Sequence, residues 1–306
     1  MSMKKYILGL LVMLMTLPMV GMESNWQTHF AYNSVEVIAN CPQEIYALAN
    51  GAIFSVNKTT EAMTLYNNKS GLHGTSVCFL MYDEEREQLL IMYSDGKMDI
   101  QYNGTMHYIS DLYNKRMTSS KKCNNITIHD KFAYLSMDFG IIVFDLEKHE
   151  FKETYYIGEE ASEVKVTDVM FYGDSIYAQT KNKNYSACIH DNVVDFHFWK
   201  VCTALPRPFD TKKGKEYTMQ DGDVWKVAGE KGVYHAFVTG EEAYYLPDGP
   251  QVNTPYNMTF DRGRLYVVPG GRWASQNDAA GHIMIYENGE WLNITSKQIQ
   301  GITGKK

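Results

Sequence analysis

The sequence predicts an all-β protein, a β-propeller of four-stranded blades. Three observations point there. A strand–turn–strand phrase recurs at nearly even spacing, aromatic residues reach 13% with 22 tyrosines, and no segment combines helical periodicity with caps over a useful length.

The chain opens with Lys4 and Lys5 ahead of an apolar run that ends near Pro18 and Gly21, the layout of a secretory signal peptide. The run is short for a membrane span of about 20 residues, so residues 1–22 are expected to be removed. Residues 23–306 then form one exported propeller domain, in the periplasm or at the outer-membrane cell surface, that does not span the membrane. The first cysteine is Cys41, which argues against lipoprotein attachment.

The repeat starts with Ile45-Tyr-Ala-Leu-Ala-Asn-Gly-Ala-Ile-Phe-Ser-Val56, two β-rich runs around an Asn-Gly turn. It returns as Leu89–Ile100 and Ala133–Phe144, and more loosely at Ile176–Gln179, Val224–Ala228 and Leu265–Val268. Anchors at Tyr46, Ile91, Tyr134, Tyr177, Trp225 and Tyr266 are 45, 43, 43, 48 and 41 residues apart, the period of one blade at roughly 40–50 residues. Inner strands precede the hairpins, as at Ser76–Tyr82, Asn125–Ile128 and Thr167–Tyr172, and outer strands follow at Ala62–Tyr66, Met106–Ile109 and Phe151–Tyr156. Six repeats are counted and a seventh is left open. Trp26–Tyr32 resembles an outer strand without inner partners, and is expected to close the ring by completing the last blade. Within Asp261–Trp273, Asp261–Arg264 reads as a hairpin turn and Leu265–Val268 as a second strand.

The net charge of −7 argues against a nucleic-acid partner. Five cysteines cannot all pair and show no metal-site spacing; most read as small buried hydrophobes, with a Cys188–Cys202 bridge the less favoured alternative in an oxidising compartment. His190, Asp191, Asp195 and His197 form the nearest thing to a metal cluster. The period-two Asp195/His197 spacing fits the outward polar face of an edge strand better. Asp221-Gly-Asp223 reads as a turn rather than a calcium loop, and Ser136–Gly140 as a structural turn. No nucleophile elbow is present. No catalytic residue, metal or cofactor is therefore assigned, and a propeller hydrolase or lyase is kept as the least favoured reading.

Binding rests on the loops. Second-to-third-strand loops and blade-to-blade loops emerge on one rim, and those at 67–75, 113–122, 205–215, 247–255 and 269–281 are long. Arg272 and Trp273 offer a charged fork beside a stacking plate. Arg207, Lys212 and Lys213, with Lys215, add positive charge. These are the candidate ligand-binding residues, with an anionic glycan as the candidate ligand.

Ser70-Gly-Leu-His-Gly-Thr-Ser-Val77 resembles the Gly-Leu-x-x-x-x-Val junction of two-component regulator propeller repeats. Trp26-x-x-His-x-x-Tyr32, Ile45–Gly51, Gly263–Arg272 and Gly281–Asn293 are more similar to PorZ-like propellers of the type IX secretion attachment complex. That resemblance implies a non-enzymatic scaffold or binding module with secretion-complex partners, contact with anionic lipopolysaccharide, and seven blades. Such proteins continue into a second propeller and a sorting domain, whereas this sequence ends at Lys306. The regulator likeness implies an alternative, a periplasmic glycan-sensing propeller whose membrane helix and kinase come from a partner or a longer chain.

Overall fold

The computed structural model describes residues 27–270 and 281–295, and residue 298. Among them, 24 strands form six four-stranded antiparallel sheets. Blade 1 holds β1–β4 (residues 35–66), blade 2 β5–β8 (77–109) and blade 3 β9–β12 (123–155). Blade 4 holds β13–β16 (166–202), blade 5 β17–β20 (216–245) and blade 6 β21–β24 (255–295). Six blades match the six repeats, against the seven that the resemblance implies.

The hairpin phrase folds as its residues dictate. Asn50 and Gly51 take φ 48° and 81°, the two positive angles of a type I′ turn, so β2 (Glu44–Ala49) runs directly into β3 (Ala52–Asn57). Arg262 and Gly263 do the same with φ 49° and 83°, joining β21 (Pro255–Asp261) to β22 (Arg264–Pro269) as expected.

The blades stack through their innermost strands. β5 (Val77–Asp83) packs on β1 (Val35–Asn40) and β2, β9 (Cys123–His129) packs on β5, and β13 (Val166–Tyr172) packs on β9 and on β10 (Phe132–Met137). A backbone hydrogen bond repeats along the stack. Val77 N–H, at the start of blade 2, donates to Gly51 O in the blade 1 turn at 2.9 Å. Val35 N–H, at the start of blade 1, donates in the same way to Gly229 O at 3.1 Å. Gly229 lies in the turn after β18 (Val224–Val227) of blade 5, and β1 packs on that strand. Blade 1 therefore takes the place after blade 5.

One apolar cluster cements this seam. Trp225 and Val233 of blade 5 share it with Ile38, Ile45, Phe54 and Val56 of blade 1. Trp225, 1% exposed, stacks on His235 with centroids 3.8 Å apart. Asp223 braces the same blade. It accepts from Val238 N–H at 2.8 Å and contacts His235 Nε2 at 2.8 Å. The carboxylate of the predicted Asp221–Asp223 turn is thus a structural acceptor. Val238 N–H holds the Asp223 carboxyl below the usual range, with His235 helping against the opposing effect of desolvation.

The opening stretch does not close the ring as a strand. Blade 6 already has four strands of its own, and residues 27–34 are irregular. Trp26 lies outside the described residues. Tyr32 inserts into the blade 1–blade 5 core and meets Phe54 edge-on at 5.8 Å. On either side of it, Tyr286 Oη donates to Gln27 Oε1 at 3.2 Å and Asn33 Nδ2 donates to Gln251 O at 2.9 Å. The segment ties blade 6 to the ring from outside. All seven residues of β21 are exposed.

Trp225→Ala is expected to cost about 3–5 kcal/mol of stability, and Met258→Ala on β21 less than about 0.5 kcal/mol, both read from urea unfolding. Equal losses would contradict the placement of blade 6. Asp223 has the lower pKa in the folded state, so its contribution is present above the ordinary carboxylate range and is lost as pH falls through its depressed value. Asp223→Asn is therefore expected to flatten the fall in stability below about pH 4, measured by unfolding at stepped pH.

Candidate functional site

Segment 203–215 joins blade 4 to blade 5. Pro206 and Pro208 lack the N–H that a strand ladder needs, so it crosses as irregular chain. It does not remain on the rim. Phe209 is 8% exposed, and Gly214 O accepts from Ile38 N–H of β1 at 2.7 Å. Gly214 has φ 69°, and a Cβ there would lie 3.2 Å from Val37 Cγ1, a tight approach that suits glycine.

Lys213 fixes the segment. Its Nζ donates to Asp168 Oδ1 of β13 at 2.5 Å and to Thr127 Oγ1 of β9 at 2.8 Å. The Asp168 side chain is 8% exposed and that of Lys213 18%. The same Asp168 oxygen accepts from Val169 N–H at 2.8 Å. The pair is thus desolvated and multiply bonded, the condition under which removing one partner leaves a costly buried charge.

The segment lies between two cavities. On one side is a cup of 660 Å³, walled by the first residues of four inner strands: Glu36 and Val37, Cys78 and Phe79, 122–125, and Thr167 with Asp168. On the other side is a cavity of 380 Å³, walled by the later residues of β9 and β13 together with Arg207. Asp168, Pro208, Phe209, Asp210 and Lys213 line both, and so form the partition. The cup lies at the end where the blade-to-blade loops 67–75, 113–122 and 205–215 feed the next blade. Loop 67–75 is anchored there by the fully buried Asp99, which accepts from His73 N–H at 2.9 Å and Tyr93 Oη at 2.5 Å.

The proposed basic group is therefore dispersed. Arg207 and Lys213 line the 380 Å³ cavity. Arg207 Nη2 reaches Phe171 O at 3.4 Å. Lys212 instead pairs with Glu216 at 2.6 Å on the surface. Arg272 and Trp273 lie outside the described residues. Asp168 and Thr127 were missed by sequence reasoning, although an aspartate within the apolar run Val166–Tyr172 was an available signal.

Other expectations are corrected. Asp195 and His197 do not share a strand face: Asp195 caps the 3-10 turn Phe196–Phe198, its Oδ1 taking His197 N–H at 3.0 Å and meeting His197 Nδ1 at 2.7 Å. His190 lies 3.5 Å from Asp174 instead. All five cysteines are free. Cys202 sits opposite Asn184 on β15 (Asn184–Cys188), whereas Cys188 ends that strand, about 13 Å further along and beyond disulfide reach. In the cup, burial pushes the Cys78 thiol up to about 11, and burial with the neighbouring Cys78 raises Cys123 further, so neither is an activated nucleophile. No helix among the described residues is long and apolar enough to cross a membrane.

Removing Lys213 alone is expected to be costly. Lys213→Met should lower stability by about 3 kcal/mol or more, and Lys213→Met with Asp168→Asn should recover most of that loss. Additive losses in denaturant unfolding would contradict the pairing.

Residues 45–200 match the family described as "TSS9, PorZ, N-terminal beta-propeller domain". Among solved structures, the chain is similar to PorZ, a bacterial surface component of the type-IX secretion system of Porphyromonas gingivalis. The TM-score is 0.71 at 21% identity, over 90% of this chain and 47% of that one. It thus spans about half the length of that structure. The extracellular domain of BT4673 from B. thetaiotaomicron gives a TM-score of 0.44 at 13% identity, over 89% and 35% of the two chains. The gluconolactonase XC5397 from Xanthomonas campestris gives 0.40 at 11% identity, over 79% and 85%. At these identities the PorZ likeness is one of fold. No curated protein matches the sequence.

Proposed function

The chain belongs to the PorZ N-terminal β-propeller family, and from that premise we propose that it is an exported, non-enzymatic recognition module of a type IX secretion complex. The observation that carries this reading is the pair of long loops 67–75 and 113–122 on one rim, beside a centre filled by segment 203–215. Packed blades around a filled centre present these loops in fixed positions, which suits docking. On that rim Lys97 Nζ lies 4.5 Å from the Tyr113 ring centroid and Lys121 Nζ lies 5.9 Å from it. Lys97 also pairs with Asp95 at 2.9 Å, and Lys121 Nζ donates to Tyr113 O at 2.7 Å, so the exposed Tyr113 ring is held in place as a stacking surface on this rim.

The finer reading is contact with anionic lipopolysaccharide. Arg207, Arg272 and Trp273 are its candidates, with Lys212 sharing its charge with Glu216 and Lys213 holding the partition. Arg207→Glu combined with Arg272→Glu is expected to weaken binding of immobilised chain to anionic lipopolysaccharide by about tenfold, the scale of losing a charge-assisted contact. Unchanged binding with an intact circular dichroism spectrum would remove the lipopolysaccharide reading. A pull-down from outer-membrane extract that returns no secretion-complex component would remove the scaffold reading.

A further inference from the structure

The first four blades begin alike. Each innermost strand pairs with its neighbour through its first residue (Val35, Val77, Cys123 or Val166) and again from its third. The second residue is an unpaired bulge: Glu36, Cys78, Asn124 and Thr167. Asn124 shows where such a side chain can go. Its Nδ2 donates to Val166 O at 2.9 Å, so an atom two bonds past Cβ already spans from blade 3 to the first strand residue of blade 4.

Cys78 and Cys123 hold the same two places one blade earlier. Cys78 is the bulge residue of β5, Cys123 opens β9, and these two strands pack on each other. Cys123 is fully buried in the apolar cluster against which Cys78 packs, and both residues line the 660 Å³ cup. Each thiol feels the other residue. Burial raises the Cys78 thiol while the Cys123 backbone N–H draws it down, and burial together with Cys78 raises Cys123. The other cysteines lie elsewhere. Cys41 follows the far end of β1, five residues past the bulge residue Glu36, or about 17 Å along the strand direction. Cys188 and Cys202 belong to the third and fourth strands of blade 4.

We propose that Cys78 and Cys123 close a disulfide that joins blade 2 to blade 3. The oxidant is an exchangeable disulfide, which an oxidising compartment supplies. Cys78, the less buried of the two, reacts first through the cup. Its thiolate attacks one sulfur of the donor, forming a mixed disulfide and releasing one donor thiolate. The Cys123 thiolate then attacks the Cys78 sulfur, the bond between them forms, and the second donor thiolate leaves. Two protein thiols are oxidised, the donor is reduced to two thiols, and the protein's two protons pass to them. Loop 67–75 feeds β5 and loop 113–122 feeds β9, so the bridge ties the bases of these two rim loops together. It stands independently of what the loops recognise.

Incubating the whole chain with oxidised glutathione at about pH 8.5, where thiols begin to ionise, tests it. A second sample is refolded from urea in the same buffer, because burial slows exchange in the native state. Alkylation and trypsin digestion should return peptide 70–86 joined to peptide 123–131. Cys123→Ala should halt Cys78 at its glutathione adduct. The bridged chain should unfold at a higher urea concentration than the reduced chain, since closing the loop restricts the unfolded ensemble, and Cys78→Ala should lose that shift. Recovery of the two peptides unlinked from both samples would overturn the proposal. So would Cys78 joined to a different cysteine, or an unfolding shift that persists in Cys78→Ala.

Discussion

A four-stranded blade has two faces to bury, and in a propeller each face is covered by a neighbouring blade. The seam between blade 5 and blade 1 is where this requirement decides the architecture. Trp225 and Val233 reach into the same apolar cluster as Ile38, Phe54 and Val56, and the Val35–Gly229 hydrogen bond copies the one that joins blade 1 to blade 2. Once blade 1 is held by blade 5, no position remains beside it for blade 6. That blade is left outside, with Tyr256, Met258 and Phe260 of β21 63%, 61% and 70% exposed.

The ring centre follows from the same seam. Blades 4 and 5 are joined by segment 203–215, which turns inward rather than running over the rim. It binds β1 through Gly214, and β9 and β13 through Lys213. The resulting partition rests on a buried ion pair, which is weak evidence for net stability but a strong determinant of where the segment sits. The segment forms a wall common to both cavities.

Much of the fold was legible because it is written locally. Asn50-Gly51 specifies a type I′ turn whatever surrounds it, and alternating β-rich runs on either side complete the hairpin. The six blades follow from repeating that unit. The seam was not legible, because nothing local in Val35 or Gly229 says that the two meet. Trp26–Tyr32 has the composition of a strand, yet Tyr32 serves as a core plug while its neighbours bond to side chains and loop carbonyls. Asp195 and His197 show a strand period over too few residues to exclude a capped turn. The surroundings of the basic loop were not legible either. Lys213 looks like one cation of a basic loop until its partner is found 45 residues upstream. Charge counted along a segment cannot see a counter-ion supplied by tertiary contact.

The central claim is that blade 5 covers blade 1 and that blade 6 is left with β21 uncovered. Native-state hydrogen exchange, read strand by strand, tests it most directly, because protection follows burial and cooperative packing. β1 and β18 should exchange as slowly as β5 and β9, and β21 should exchange much faster than any of them. Rapid exchange in β1, or protection of β21 equal to that of β5, would contradict the account.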